Sequence, residues 1–222
     1  METVVIRHVL FDADGVLQHL PGGWYAAAEP FLGDRAEEFF LAAWAKEAPL
    51  QAGADGDFLA ILADLLDEFG ATASAEEVYA AVWNRVEVHP ESADVVRRLR
   101  AAGYGVHLGT NQAAHRGTFM RTALGHDDLF DVSCYSFDLG VAKPEPEFFH
   151  RAAARIGADP HEIVFVDDKA SNVASARSIG MATVHWTFDS HPEASAAGTD
   201  APADHISHAA LCEQLAAHGV RP

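Results

Sequence analysis

Short apolar runs alternate with helical segments along most of this chain of 222 residues. The runs are rich in β-branched residues and have the length of buried strands. They occupy residues 4–11, 105–109, 132–136, 163–166 and 182–186. Strands that alternate with helices predict an α/β fold in which a mostly parallel sheet is covered by helices on both faces.

An insertion interrupts this alternation early, because residues 24–88 carry only helical patterns. Three amphipathic helices are expected there, at residues 25–47, 57–69 and 75–87. The third opens at Ser74 with a Ser-x-x-Glu capping box. The pattern predicts an all-helical insertion over residues 18–88, between two parts of the core at 1–17 and 89–222.

The helices that alternate with the later strands are bounded by proline and glycine. They are expected at residues 90–103, 113–124, 144–157 and 171–179. After Phe188 the chain becomes rich in Ala, Asp, His, Gly and Pro, which indicates a surface loop up to Ser207. A last helix is expected at residues 208–218.

Charge and composition exclude several classes of partner. The net charge is −18 and no Lys/Arg cluster interrupts it, so the chain is not expected to bind nucleic acid. No apolar stretch is long enough to span a bilayer and no signal peptide is recognisable, which predicts a cytoplasmic protein without membrane contact. Cys134 and Cys212 are too few and too far apart for a disulfide framework or a zinc site.

Two carboxylates, Asp12 and Asp14, stand at the end of the first strand and are followed by Gly15. Like charges held side by side repel, and a fold tolerates them when a cation or a shared proton relieves the repulsion. An Asp-Gly turn that simply closes the strand is the alternative. This segment alone does not decide between a reactive pair and a turn.

Further polar residues follow later strands of the same predicted sheet, namely Thr110, Asn111, Asp167 and Asp168, while Lys143 precedes a helix. Each has an ordinary explanation as a helix cap, a solvated turn or a charge at a helix N-terminus. Ligands of open parallel sheets bind at the carboxyl ends of the strands. We therefore expect these side chains to converge with the first carboxylate pair.

Four segments together resemble the haloacid dehalogenase (HAD) superfamily, in its phosphatase branch with a helical, C1-type cap. The first is the DxDG pattern at residues 11–16, and the second is Leu-Gly-Thr-Asn at 108–111. The third surrounds Lys143 at 139–149, and the fourth contains the Asp-Asp pair at 164–173. The resemblance implies a Rossmann-like core, with residues 18–88 as the cap domain.

The resemblance also implies a division of labour for a Mg²⁺-dependent hydrolase. Asp12 would be the nucleophile that forms an aspartyl-phosphate, and Asp14 the general acid and base, which needs a raised pKa. Lys143 would neutralise charge on the nucleophile and on the phosphoryl group. The Thr110 hydroxyl and the Asn111 backbone N–H would bind the phosphoryl oxygens.

Magnesium would be bound by Asp12, by the backbone carbonyl of Asp14 and by Asp168. Asp167 would bind it directly or through water. Many relatives have another aspartate where this chain has Asn172, so the Asp-Asp pair supplies the second carboxylate from the other side. Dehalogenation is disfavoured because haloacid dehalogenases lack the second aspartate of the first motif.

The expected substrate is a small phosphate monoester, such as a sugar phosphate, acted on by a monomer or a homodimer. A phosphomutase of the β-phosphoglucomutase type would use the same motifs and stays open. A 2-haloacid dehalogenase or a non-catalytic binding protein fits the motifs less well. Trp24, Tyr25 and Arg85 are candidate substrate contacts in the insertion.

Overall fold

The computed structural model describes residues 5–188 and 207–222. Within them lie seven strands, β1 (His8–Phe11), β2 (Gln18–His19), β3 (Glu87–Val88), β4 (Gly105–Thr110), β5 (Val132–Tyr135), β6 (Ile163–Asp167) and β7 (Ala182–His185). Five of them form one parallel sheet in the order β5-β4-β1-β6-β7. The predicted α/β fold with a Rossmann-like parallel sheet is confirmed. The loop expected up to Ser207 lies largely outside the described residues.

The first strand occupies the centre of the sheet, between β4 and β6. Its residues Val9, Leu10 and Phe11 are buried, as a strand covered on both faces requires. The chain runs outward from β1 through β4 to β5 and then returns to place β6 on the other side. The carboxyl ends of β1, β4 and β6 are therefore neighbours, at the point where the strand order reverses.

In the part of the chain that the structure describes, seven helices flank the sheet: α5 (Pro90–Ala101), α6 (Ala114–Thr122), α7 (His126–Leu129), α8 (Ser136–Leu139), α9 (Pro146–Ile156), α10 (Ala170–Ser178) and α11 (His208–Ala217). Four more precede them in the insertion: α1 (Trp24–Leu32), α2 (Ala36–Gln51), α3 (Phe58–Phe69) and α4 (Ala75–Ala81). The capping box at Ser74 is present, with both reciprocal hydrogen bonds between Ser74 and Glu77. None of the helices in the described ranges is long and apolar enough to cross a membrane.

The helical content of the insertion is confirmed, but two boundaries differ from the prediction. The helix expected at residues 25–47 is two helices, because Gly33 has a φ of 55° and ends α1 before α2 begins. The helix expected up to residue 87 ends at Ala81, and Glu87–Val88 pairs antiparallel with Gln18–His19. This pair closes the base of the insertion where the chain leaves and re-enters the core.

The insertion has its own hydrophobic core, formed mainly by aromatic and aliphatic side chains of α2, α3 and α4. Its buried members include Phe39, Phe40, Leu62, Leu65, Val78 and Trp83. A second cluster fills one side of the sheet around Val9, Phe11, Val164 and Val166. The insertion therefore has a hydrophobic core of its own beside the sheet.

Candidate active site

Three buried carboxylates meet at the carboxyl edge of the sheet. Asp12 follows β1, Asp167 ends β6, and Asp168 follows it. One oxygen of each lies within 4.8 Å of an oxygen of the other two. Burying like charges together is costly unless a cation compensates them.

Lys143 supplies positive charge to this cluster. Its Nζ lies 2.8 Å from Asp12 Oδ1 and 2.7 Å from Asp167 Oδ2, and it donates to the Gly109 carbonyl at 2.9 Å. Burial alone would lower the pKa of Lys143, but the two carboxylates outweigh it and raise the pKa. The lysine is therefore a fixed positive charge between strands β1, β4 and β6.

One lysine does not neutralise three carboxylates. Burial raises the pKa of Asp12 to about 7, opposed by Lys143 and reinforced by the charge of Asp167. Burial also raises the pKa of Asp168, and the charges of Asp167 and Asp12 add to the effect. The cluster thus carries excess negative charge that a proton or a metal cation would relieve.

The two adjacent aspartates of the fourth motif have different surroundings. Asp167 accepts hydrogen bonds from the Lys169 backbone N–H at 2.8 Å and from Asn172 Nδ2 at 3.0 and 3.1 Å. Asp168 Oδ1 is buried and has no hydrogen-bond partner. Asn172 therefore has a structural reason to be an amide, since an aspartate there would repel Asp167.

Gly15 leaves space for the carboxylate of Asp168. Its φ is 81°, and a Cβ built on it would lie 3.0 Å from Asp168 Oδ2. The carbonyl of Gly15 accepts hydrogen bonds from Thr187 Oγ1 at 2.7 Å and from the Phe188 N–H at 3.2 Å. A side chain at this position would both strain the turn and crowd the acidic cluster.

Thr110 and Asn111 lie at the end of β4, as the sequence predicted, and both line the same cavity as Asp12. The Thr110 hydroxyl is buried and accepts a hydrogen bond from Gln112 Nε2 at 3.0 Å. The Asn111 side chain binds the backbone of Lys143 twice, at 2.8 Å each. Its amide thus holds the lysine segment in place.

Asp14 does not have the raised pKa that the resemblance implies. Arg116 binds both of its carboxylate oxygens, at 2.6 and 2.8 Å, and Gln18 and Gln112 donate to it at 2.9 Å each. Desolvation alone would raise the pKa of Asp14, but Arg116 outweighs it, and the pKa falls to about 2. Asp14 is therefore an ionised carboxylate in this arrangement.

Arg116 is a site residue that the sequence did not indicate. It is buried on α6, and its Nε donates to the Trp83 carbonyl of the insertion at 2.9 Å. Gln18 and Gln112 were missed as well. All three are ordinary polar residues in the sequence, and only the fold brings them to Asp14.

A cavity of about 340 Å³ lies between the sheet edge and the insertion. This volume is in the range of small-molecule sites. The predicted site residues that line it are Asp12, Asp14, Thr110, Asn111, Lys143 and Asp168; Asp167 is behind them, fully buried. Of the three candidate contacts in the insertion, Trp24 lines the cavity, and Tyr25 and Arg85 do not.

Glu47 of α2 also lines the cavity and is buried. Trp83 Nε1 donates to its Oε2 at 3.4 Å. Burial raises the pKa of Glu47 from 4.5 to about 7, against the lowering effects of Arg116, Trp83 and Gln51. No sequence motif singled out this carboxyl group.

This buried carboxyl predicts a pH-dependent effect of Glu47→Gln on stability. From pH 4.5 to about 7 the folded chain holds a proton that the unfolded chain has lost, so the contribution of Glu47 to stability falls as the pH rises through that window. At roughly 1.4 kcal/mol per pKa unit, the cost reaches about 3 kcal/mol above pH 7. The variant should gain stability relative to the parent between about pH 5 and pH 8, measured by urea unfolding.

The exposed Glu37 on the same helix provides the control, because Glu37→Gln removes an equal charge from solvent. Because Glu37 is exposed, the stability of this variant should remain within about 0.5 kcal/mol of the parent at pH 5 and at pH 8. A Glu47→Gln difference that is equal at both pH values would contradict the ionisation cost.

The described fold and site define an α/β protein with an acidic cluster at the carboxyl edge of its parallel sheet. Residues 6–180 match the family model of the haloacid dehalogenase-like hydrolases. The chain belongs to this family, as the four motifs predicted.

Curated relatives include both phosphatases and a dehalogenase. Sesquiterpene phosphatase astK of Aspergillus oryzae is 34% identical over 93 residues, which is 42% of this chain and 47% of the relative. (S)-2-haloacid dehalogenase 4A of Burkholderia cepacia is 26% identical over 112 residues, 50% and 48% of the two chains. Glyceraldehyde 3-phosphate phosphatase of Methanopyrus kandleri is 30% identical over 128 residues, which is 54% of this chain and 55% of the relative. The matches span about half the length of these relatives.

Solved structures share the fold over most of the chain. A HAD family enzyme of Bacteroides thetaiotaomicron, in complex with magnesium and inorganic phosphate, superposes with a TM-score of 0.70. The match covers 84% of this chain and 96% of that one, at 24% sequence identity. The likeness supports the fold.

Proposed function

We propose that the protein is a Mg²⁺-dependent phosphatase that hydrolyses a small phosphate monoester through an aspartyl-phosphate on Asp12. The observation that carries the proposal is the buried trio of Asp12, Asp167 and Asp168 with Lys143 between two of them. Phosphatases among the relatives, and the magnesium and phosphate in the neighbouring structure, support it.

In the proposed reaction an oxygen of Asp12 attacks phosphorus, and the bond between phosphorus and the leaving alkoxide oxygen breaks. Lys143 contacts Asp12 Oδ1 and so fixes the orientation of the carboxylate. The Thr110 hydroxyl and the Asn111 backbone N–H would bind phosphoryl oxygens. Water then attacks phosphorus, releasing phosphate and regenerating the carboxylate.

The acidic cluster is suited to magnesium. All its donors are oxygens, which Mg²⁺ prefers, and the buried Asp168 Oδ1 has no other partner. We propose that Asp12, Asp168 and the Asp14 carbonyl would hold the ion. Asp167, already bound by Lys143 and Asn172, would act directly or through water. A bound Mg²⁺ would supply charge neutralisation for the phosphoryl group.

Asp14 is the proposed general acid and base, because it lines the cavity two residues after the nucleophile. The ion pair with Arg116 keeps it as a carboxylate, the form that accepts a proton from the attacking water. Protonation of the leaving oxygen requires that this ion pair loosen when substrate binds. Arg116 also donates to the Trp83 carbonyl of the insertion. Movement of the insertion would therefore affect both this hydrogen bond and the ion pair between Arg116 and Asp14.

We further propose that residues 18–88 form the cap domain and that residues 1–17 and 89–222 form the core domain. The separate hydrophobic core of the insertion and the cavity between it and the sheet edge support these boundaries. Closure of such a cap would exclude water during phosphoryl transfer.

The proposal is tested by measuring phosphate release from a panel of phosphorylated metabolites with and without magnesium. We expect release in Mg²⁺, its loss on chelation with EDTA, and its return when Mg²⁺ is added back. Isomerised sugar phosphate without phosphate release would overturn the proposal in favour of a mutase. Halide release from a 2-haloacid, without phosphate release from any ester, would overturn it in favour of a dehalogenase.

A further inference from the structure

The insertion contributes a mostly apolar wall to the cavity. Its lining side chains include three tryptophans, Trp24, Trp44 and Trp83, with Leu20 and Ala48. The Trp24 ring lies edge-on to both others, with ring centroids 6.1 Å from Trp44 and 6.0 Å from Trp83. Such rings offer a large, rigid apolar surface to a ligand.

No lysine or arginine is among the insertion residues that line this cavity within the described ranges. The cations that line it, Arg116, Lys143 and Lys169, all belong to the sheet side. Arg116 is bound by Asp14, and Lys143 by Asp12 and Asp167. Lys169 directly follows the acidic pair in sequence. A carboxylate or a second phosphate on the leaving group would therefore find no lysine or arginine on the insertion side, where the lining side chains with nitrogen atoms, besides the tryptophans, are His19 and Gln51.

Glu47 gives the same wall a hydrogen-bond acceptor. A carboxylate has about four acceptor positions, and Trp83 at 3.4 Å and Gln51 are the donors near Glu47. The side chain lines the cavity, so acceptor capacity remains for a ligand. Above pH 7, where Glu47 is ionised, a donor on the leaving group would fill this capacity, whereas an anion would be repelled.

We propose that the leaving group of the substrate is an alcohol without anionic groups, with an apolar face that packs on Trp24 and Trp44 and a hydroxyl or amino donor that binds Glu47. The inference rests on the proposed phosphatase function. It predicts lower activity on esters whose leaving group carries a carboxylate or a second phosphate.

Three matched esters test this specificity: benzyl phosphate, para-hydroxymethylbenzyl phosphate and para-carboxybenzyl phosphate. They share one ring and differ in a single substituent. In Mg²⁺ at pH 8, where Glu47 is ionised, we expect the hydroxymethyl ester to exceed benzyl phosphate in kcat/KM by about tenfold, the effect of one hydrogen bond to a charged group. The carboxy ester should fall about tenfold or more below benzyl phosphate. A carboxy ester equal to or better than the other two would overturn the inference.

Glu47→Gln tests whether Glu47 causes the preference for the hydroxymethyl ester over the carboxy ester. The amide keeps the size of the side chain and an oxygen that accepts from Trp83, but it also donates hydrogen bonds. The ratio of kcat/KM between the hydroxymethyl and carboxy esters should shrink by about tenfold or more in the variant. In Glu37→Gln, which changes an exposed residue of the same helix, the ratio should stay as in the parent. An unchanged ratio in Glu47→Gln would overturn the assignment of Glu47.

Binding of the free alcohols provides a readout that does not need turnover. Quenching of tryptophan fluorescence should report binding of para-benzenedimethanol, because three tryptophans line the cavity. Para-hydroxymethylbenzoate should not bind in the same concentration range. Absence of phosphate release from these esters and from every ester of the metabolite panel, with selective diol binding, would refute the phosphatase function and leave the recognition by Glu47 standing. Equal binding of the diol and the benzoate would refute the proposal that Glu47 selects a leaving group with a hydrogen-bond donor.

Discussion

Asp12→Asn is expected to abolish phosphate release from every ester that the parent hydrolyses. An amide is not a nucleophile towards phosphorus, and loss of a covalent nucleophile costs about a thousandfold or more in kcat. Asparagine has nearly the same size and keeps an oxygen that Lys143 can bind, so the fold should be retained. The measurement is kcat in saturating Mg²⁺, together with thermal unfolding to confirm folding.

The exposed Asp94 on α5 is the matched control for this substitution. Asp94→Asn makes the same chemical change outside the cavity, and its kcat should remain within about twofold of the parent. Turnover in Asp12→Asn at more than about a tenth of the parental rate would contradict the assignment of Asp12 as the nucleophile.

Lys143→Met is expected to have the largest effect on stability. Lys143 contacts two of the three buried carboxylates, and removing one partner of a buried ion pair costs about 3–5 kcal/mol. Urea unfolding without divalent ions should show this loss. Because a metal cation would relieve the same repulsion, Mg²⁺ should raise the Tm of the variant by more than it raises that of the parent. Phosphate release should also be lost.

The exposed Lys46 provides the control, since Lys46→Met removes an equal charge from α2. Its stability should remain within about 0.5 kcal/mol of the parent with or without Mg²⁺. Parental stability in Lys143→Met, or a Mg²⁺ response no larger than that of the parent, would contradict the role of Lys143 as the charge that offsets the acidic cluster.

The sheet and the convergence of its polar residues were predictable because each strand carries its own local pattern. Asp12, Thr110 and Asp168 all follow apolar runs, and the parallel arrangement alone places such strand ends at one edge. The short β2-β3 pair was not predictable in this way. Two residues on each side give no measurable alternation, and their pairing joins Gln18 to Val88 across the whole insertion.

The environment of Asp14 was not predictable from local sequence either. Its partner Arg116 is 102 residues away, and Gln112 is 98 residues away. Motif matching identified the carboxylate, but its pKa depends on neighbours that only the fold supplies. Glu47 illustrates the same limit, since its burial results from helix packing in the insertion.

The covalent step is tested most directly by rapid acid quenching of the enzyme during turnover of a phosphate ester. Mass spectrometry should find one phosphoryl group on the tryptic peptide of residues 8–35, and fragmentation should place it on Asp12. The modification should be absent from Asp12→Asn. A quenched enzyme that turns over substrate but carries no phosphoryl group, or carries it on another residue, would contradict an aspartyl-phosphate mechanism at Asp12.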